Sequence, residues 1–330
     1  MSLTVQRHKS VMSSASSIKT TEREGISSAP ALGNEAPRVS VLVLTMNRSQ
    51  ELMKCLQSLE PLDRRLYEVV VVDNGSTDDT PDLVQGEFPW VRFHRLHANV
   101  GATGGRHVAF TLARGEYCVV LDDDAEFRDV GQLEKAVRRM EEDERLGVIA
   151  FNIVNAYSGE VDVKAIPRRD KRLLEGWSPC TYFCAAGALI RRRAYEAAGG
   201  LWEALFIYAE ELDLSYRILD AGYHMLFTTE IEVLHRETPC ARPSGRYLRF
   251  ATRNRIWIGW RNLPWPGALS MSLAWMAKNG WVALRCGEVG AYLSGVREAI
   301  VRWRKPWLVR KVIGPHARRQ LRLHSGRSWY

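Results

Sequence analysis

Over its first two thirds the chain alternates continuous apolar runs with amphipathic stretches. Val39 to Thr45 is an apolar run that predicts a buried strand, and Ser49 predicts the cap of a helix whose apolar face holds Leu52, Cys55, Leu56 and Leu59. Glu68–Asp73 predicts a second buried strand, stopping in the turn-rich segment Asp73–Asp79 that leads into a short helix. Val91–Leu96 predicts a third strand, Gly101–Gly105 a turn opening a helix towards Ala113, and Tyr117–Leu121 a fourth strand. Strands apolar on both faces, alternating with helices, define a mostly parallel, Rossmann-like sheet flanked by helices, the α/β class. Past Val148–Ile153 the alternation breaks up. Cys184–Arg191, rich in small residues, predicts a closely packed strand, and Arg193–Ala198 a helix ending at Gly199-Gly200. Phe206–Ala221 predicts a helix with Gly222 as its C-cap.

The apolar run Val119-Val120-Leu121 ends abruptly in Asp122-Asp123-Asp124. The carboxyl end of a strand in such a sheet faces the ligand crevice. Three adjacent anions repel, so they imply a cation among them, and a hard divalent metal bridging to phosphate oxygens suits that role. The plainer alternative is an acidic cap on a helix starting at Ala125. Asp73 is a second acidic strand end, placed to accept a hydrogen bond from a nucleobase N–H, although Asp73-Asn74-Gly75-Ser76 also reads as an ordinary turn.

Composition changes this picture mainly at the ends. With 46% hydrophobic and 25% charged residues in 330, the chain is that of a globular protein of one large domain or two. Residues 1–37 lack periodicity and are expected to be a disordered leader. No apolar signal segment is seen there, and the six cysteines have no metal-ligand spacing, so a reducing, cytoplasmic setting is expected. From Arg297 onward ten Lys and Arg face one acid, a net +9 against +8 for the whole chain, so the rest sums to −1. Eight of the eleven Trp lie beyond residue 250, around the uncharged stretch Asn262–Ala277, which Pro264 and Pro266 interrupt. The uninterrupted part is too short to span a bilayer, which takes about 20 apolar residues. Trp and basic residues beside short apolar helices point to the inner face of a membrane, or else to an aromatic core or a homodimer contact. No nucleic-acid recognition fold accompanies the basic tail, so anionic lipid or a phosphorylated lipid acceptor is the expected partner.

Asn99–Gly105 is glycine-rich, but no G-x-G-x-x-G follows the first strand, which argues against a nicotinamide enzyme. Taken together, Thr45-x-Asn47-Arg48, Val72–Asp78, Asn99-x-Gly101 with Gly105-Arg106, Leu121–Asp124, Gly199–Glu203 and Glu210–Leu214 occur in the order seen in family 2 glycosyltransferases. The chain resembles that family from about Arg38 to Pro239, and within it the rhamnosyltransferase-like branch. The resemblance implies a GT-A fold and inverting transfer from a UDP- or dTDP-sugar to a hydroxyl of a glycan, lipid-linked or small-molecule acceptor. It implies a nucleotide-sugar-binding half at 38–150, an acceptor half with the catalytic base at 151–246, and a helical extension at 247–330. Asp73 would hold the base, with Thr45, Asn47, Arg48, Asn99, Gly101, Arg106, Asp122 and Asp123 around the nucleotide sugar. Asp124 and His235 would bind Mg²⁺ or Mn²⁺. Gly187, Trp202, Glu203, Glu210 and Asp213 would meet the acceptor, and Glu211 would be the base. Glu211 is one methylene longer than the family's usual Asp, which leaves Glu210 and Asp213 as alternatives. The competing readings are a nucleotidyltransferase on a similar sheet and an inactive sugar-nucleotide-binding protein.

Overall fold

The computed structural model describes residues 26–27, 36–168, 170–236 and 244–325. The expected disordered leader lies almost wholly outside these, as do Cys240 and Trp329. Ten strands form one sheet: β1 (Ile26–Ser27), β2 (Val39–Thr45), β3 (Tyr67–Asp73), β4 (Arg92–Arg95), β5 (Tyr117–Asp122), β6 (Ala125–Phe127), β7 (Leu146–Asn155), β8 (Trp177–Cys180), β9 (Gly187–Arg191) and β10 (His224–His235). Their order is β1-β4-β3-β2-β5-β9-β7-β10-β6, with β8 also on β10. β4, β3, β2 and β5 run parallel, β7 pairs parallel with β10, and β9 is antiparallel between β5 and β7. β1 falls inside the stretch expected to be disordered. It pairs antiparallel with β4, whose outer edge would otherwise leave backbone groups open.

Helices α1 (Ser49–Ser58), α2 (Thr80–Glu87), α3 (Gly101–Leu112), α4 (Leu133–Glu142), α5 (Arg192–Ala197) and α6 (Glu210–Asp220) cover the sheet, and α7 (Ser244–Asn262), α8 (Trp265–Cys286), α9 (Val289–Val301), α10 (Arg304–Leu308) and α11 (Pro315–Ser325) complete the chain. Strand side chains alternate between two buried clusters. Val41, Val43, Val69, Val71, Val119 and Leu121 join α1 and α4 on one face. Leu42, Val70, Val72, Cys118 and Val120 meet α3, α5 and α6 on the other. The second cluster continues into Trp257, Ile258, Met271 and Ala299, so the Trp-rich region shares a core with the sheet.

The plainer alternative for the acids falls away, and one expected element is corrected. The segment after Asp124 is strand β6, not a helix, because alternating Ala125 and Phe127 are buried while Glu126 faces out to Arg236. The helix expected from Phe206 starts only at Glu210, because Phe206, Tyr208 and Ala209 hold left-handed φ of 66°, 70° and 65°. Pro264 and Pro266 interrupt the last apolar stretch, separating α7, which ends at Asn262, from α8. They sit at the start of α8, where a missing N–H costs nothing, and α8 then runs 22 residues. No described helix is long and apolar enough to cross a membrane.

Candidate active site

The β5 carboxylates inherit the alternation of the strand before them. Asp122 follows Val120 towards α3 and α6, where Arg106 donates to it at 2.5 Å. Asp123 turns to the α1 side, accepting from the Thr45 hydroxyl at 2.8 Å and from Arg48 at 2.9 Å. Arg48 occupies the N-cap position expected of Ser49, and its other amino group donates to Asp124 at 2.6 Å. Much of the countercharge demanded by three adjacent acids is therefore supplied by two arginines. Burial pushes Asp123 up to about 7, against the pull of Arg48. For Asp124 burial acts the same way, but His235 and Arg48 overcome it and hold the carboxyl well below the ordinary range.

β10 delivers His235 to this corner by pairing with β6, His235 opposite Ala125. Its Nε2 lies 3.1 Å from Asp124 Oδ1. One ligand atom each from Asp122, Asp124 and His235 fall within 4.8 Å of one another. Two carboxylates and an imidazole fit a divalent cation of the Mn²⁺ or Mg²⁺ kind, the imidazole favouring the former. Asp122, placed with the nucleotide sugar by resemblance, thus lies with Asp124 and His235 in a cluster that could hold a cation.

Asp73 ends β3 on the far side of β2, in register with Thr45, while Asp122 pairs with Leu44. Asp73 accepts the Ser76 N–H at 2.9 Å, and its other oxygen is buried with no hydrogen-bond partner. Asn47 ties this turn to the end of β2, donating to Ser76 and accepting from the Thr77 N–H. Asn99 accepts from Asn74 and from the Gly101 N–H. Gly101 has φ +82°, and a Cβ there would stand 2.3 Å from the Phe206 carbonyl, so only glycine lets α3 start against that loop.

Arg106, Asp122, Glu210, Glu211 and His235 share a cavity of about 650 Å³. Glu210 takes Arg106 at 2.6 Å through one oxygen, and its other oxygen is buried without a partner. Burial, reinforced by the negative charge of Glu211, pushes Glu210 up to about 8. Glu211 stands half-buried on the cavity wall, without an ion pair or side-chain hydrogen bond among the described residues.

Four expected acceptor residues do not reach the cavity. Asp213 is fully buried and consumed by Arg217 (2.6 Å), Arg261 (2.7 Å) and Asn262 (2.8 Å), a cluster that ties α6 to α7. Removing one partner from such a cluster costs about 3–5 kcal/mol. Gly187 is buried in β9, where a Cβ would meet Val233 at 2.8 Å. Trp202 packs beside Trp257, with the Arg261 guanidinium 4.7 Å from its ring. Glu203 is exposed, 3.8 Å from His107.

Asn254 was given no role from the sequence. Fully buried in α7, it donates to the carbonyls of Leu205, Ile207 and Tyr208 at 2.7–3.0 Å, and Arg253 adds a bond to Leu205 at 2.6 Å. Left-handed non-glycine residues cost of order 1–3 kcal/mol each. These bonds hold the strained turn that carries Glu210 and Glu211. The sequence signal was the polar triplet Arg253-Asn254-Arg255, directly before the apolar Ile256-Trp257-Ile258.

A family comparison now meets this geometry. Residues 40–199 match Glycosyl transferase family 2. The chain is 25% identical over 280 residues to the N-acetylglucosaminyl-diphospho-decaprenol L-rhamnosyltransferase of Mycobacterium tuberculosis strain H37Rv, which covers 71% of this chain and 90% of that one. Its fold is similar to S. aureus TarS 1–349 in complex with UDP-GlcNAc, with a TM-score of 0.59 and 17% identity over 80% of each chain. It is also similar to the mannosyltransferase PcManGT from Pyrobaculum calidifontis in complex with GDP-Man and Mn²⁺, with a TM-score of 0.56 and 18% identity over 81% of this chain and 88% of that one. The fold is GT-A and the protein is a glycosyltransferase. Residues 40–199 form its family 2 glycosyltransferase domain, the chain is similar to the rhamnosyltransferase-like branch, and the nucleotidyltransferase reading falls away.

Proposed function

We propose that the protein is an inverting, metal-dependent transferase that moves a sugar from a uridine or thymidine diphosphate donor to a hydroxyl on a lipid-linked glycan. The observation that carries this reading is the placement of Glu211. It is an ion-pair-free carboxylate on the wall of the same cavity as Asp122 and His235. Inversion needs one base to take the acceptor proton as its oxygen attacks the anomeric carbon. Glu211 is free to do so, whereas Glu210 is engaged by Arg106 and Asp213 by two arginines and an amide. A divalent cation held by Asp122, Asp124 and His235 would compensate the charge of the departing diphosphate. Arg106 adds a fixed positive charge beside Asp122, and the Asp73 oxygen that makes no hydrogen bond, 3.5 Å from Arg95 Nε, supplies the acceptor that a uracil or thymine N3–H requires.

The relative's name supports a lipid diphosphate acceptor, since that protein acts on a diphospho-decaprenol substrate. Supporting it too are the exposed Trp265, Trp281, Trp303 and Trp307 in a region of net positive charge. Such a surface suits the headgroup zone of an anionic membrane, each nearby Lys or Arg contributing about 1 kcal/mol. Sedimentation with anionic liposomes should capture the protein at low salt and release it at high salt. A protein that stays in the supernatant at low salt would assign these Trp to another contact.

The donor reading is checked by a melting-point screen of nucleoside diphosphates with and without Mn²⁺. Uridine or thymidine diphosphate should raise the melting point only with the metal, reflecting a stabilisation of about 2.7 kcal/mol at a hundredfold excess over Kd. Equal stabilisation without metal would sink the metal-dependent reading. Binding without donor hydrolysis would favour an inactive sugar-nucleotide-binding protein.

A further inference from the structure

Part of the cavity wall is basic and is used by none of the steps above. Arg255 from α7 and Lys278 from α8 both approach the Trp275 ring, at 3.9 Å and 4.4 Å from its centroid. All three residues line the cavity that Glu211 lines. Arg255 Nε and Trp275 Nε1 are buried and have no hydrogen-bond partner. Neither Arg255 nor Lys278 forms an ion pair among the described residues. Lys171 lines the same cavity, and its ammonium is pushed down by burial, with Lys278 adding to the effect and Asp162 opposing it.

The unused groups are all donors. Arginine and lysine have no acceptor atom, and an indole nitrogen only donates. The ring face attracts each cation but does not relieve their mutual repulsion. A ligand completing this wall must be acceptor-only and negatively charged, and phosphate oxygens meet both conditions through charge-assisted hydrogen bonds. The helix carrying two of the three residues adds a second property. On α8, Met271, Ser272, Asn279 and Ala283 are buried, Trp275 and Lys278 face the cavity, and Leu273, Trp281 and Leu284 are exposed. Trp281 lies one turn beyond Lys278, so a basic site and an apolar stripe adjoin on one helix.

We infer that Arg255, Lys278 and the Trp275 indole N–H form a subsite for the phosphate or diphosphate of a phosphorylated acceptor. The inference rests on reading the Glu211 cavity as the acceptor site. The subsite would anchor the acceptor by its anionic group and so present the sugar hydroxyl to Glu211. Where that group is carried on a lipid, the chain would leave the cavity along Leu273, Trp281 and Leu284.

The test is calorimetric binding to the full chain with donor and metal absent, using inorganic diphosphate and farnesyl diphosphate as probes. Both should bind saturably and more weakly as salt rises. The double variant Arg255→Gln/Lys278→Gln should weaken both by about tenfold or more, the loss expected on removing charge-assisted bonds. Its Mn²⁺-dependent response to uridine diphosphate should remain that of the wild type. Tighter binding of farnesyl than of inorganic diphosphate, with the excess lost in Trp281→Ser, identifies a lipid-borne phosphate. Equal binding of the two probes identifies a phosphate on a soluble sugar, and either result supports the subsite. Absence of binding to the wild type, or unchanged binding in the double variant, would overturn it. If the double variant does not fold, Lys278→Gln at its exposed position gives the same comparison. Neither probe needs the base, so a wrong assignment of Glu211 would leave this result intact and show itself only in turnover.

Discussion

Asp124→Ala is expected to abolish sugar transfer and the Mn²⁺-dependent part of nucleotide binding while leaving a folded protein. Asp124 is the hub of the cation corner, 3.1 Å from His235 and 2.6 Å from Arg48. Its loss would remove one of the three proposed ligand groups and halve the carboxylate charge offered to the metal. Removing a single group that stabilises charge in a transition state commonly costs on the order of 10²–10³-fold in rate, and a ligand shared with the metal belongs at or above that range. The fold should survive because Arg48 retains Asp123 as its partner. His235→Ala should weaken metal binding less, since both carboxylates remain. The deciding measurement is the melting-point rise given by uridine diphosphate and Mn²⁺ together, compared with the nucleotide alone. If that rise is unchanged in Asp124→Ala, the residue does not hold the metal.

The sheet was legible because its strands are apolar on both faces, a pattern that few other folds accommodate. Val41 and Leu42, or Val119 and Val120, go to opposite clusters, and only a layer covered on both sides can bury both. The same alternation made the acids at the end of β5 interpretable, because consecutive carboxylates must splay to opposite sides. The reading failed where chemistry and structure use the same residue types. Glu210, Glu211 and Asp213 lie within one turn of α6, so the choice of Glu211 as base left the other two as alternatives. Only the packing of α7 against α6 shows that Asp213 neutralises Arg217 and Arg261.

Two other misses have a common cause. The start of α6 was placed at Phe206 because nothing in Phe206–Ala209 signals a left-handed turn. The turn persists because Asn254, almost fifty residues later in sequence, caps its carbonyls. The basic wall formed by Arg255, Trp275 and Lys278 likewise exists only through the docking of α7 on α8. On their own these residues read as surface charge and aromatic core. Elements that fold locally can be read from local pattern, but groups assembled by helix packing cannot.

Glu211→Gln is expected to reduce turnover by about 10²–10⁴-fold, the usual contribution of a positioned general base. The amide keeps the volume and a hydrogen-bonding oxygen but cannot take up the acceptor proton. Nothing in the protein depends on the charge of Glu211 through a direct bond, so the melting point should change little. Donor and metal affinity should also hold, because the ion pairs around the donor corner run through Arg48, Arg106 and His235 instead. Glu210→Gln should behave differently. It alters the side chain that Arg106 holds at 2.6 Å, so it should disturb Asp122 and with it donor binding. The two variants therefore separate in kinetics: Glu211→Gln lowers kcat at nearly constant donor KM, and Glu210→Gln raises donor KM as well. Near-normal turnover in Glu211→Gln, with Glu210→Gln inactive at saturating donor, would move the base to Glu210. In that case Arg106, poised between Glu210 and Asp122, would be the residue coupling proton removal to the departing diphosphate.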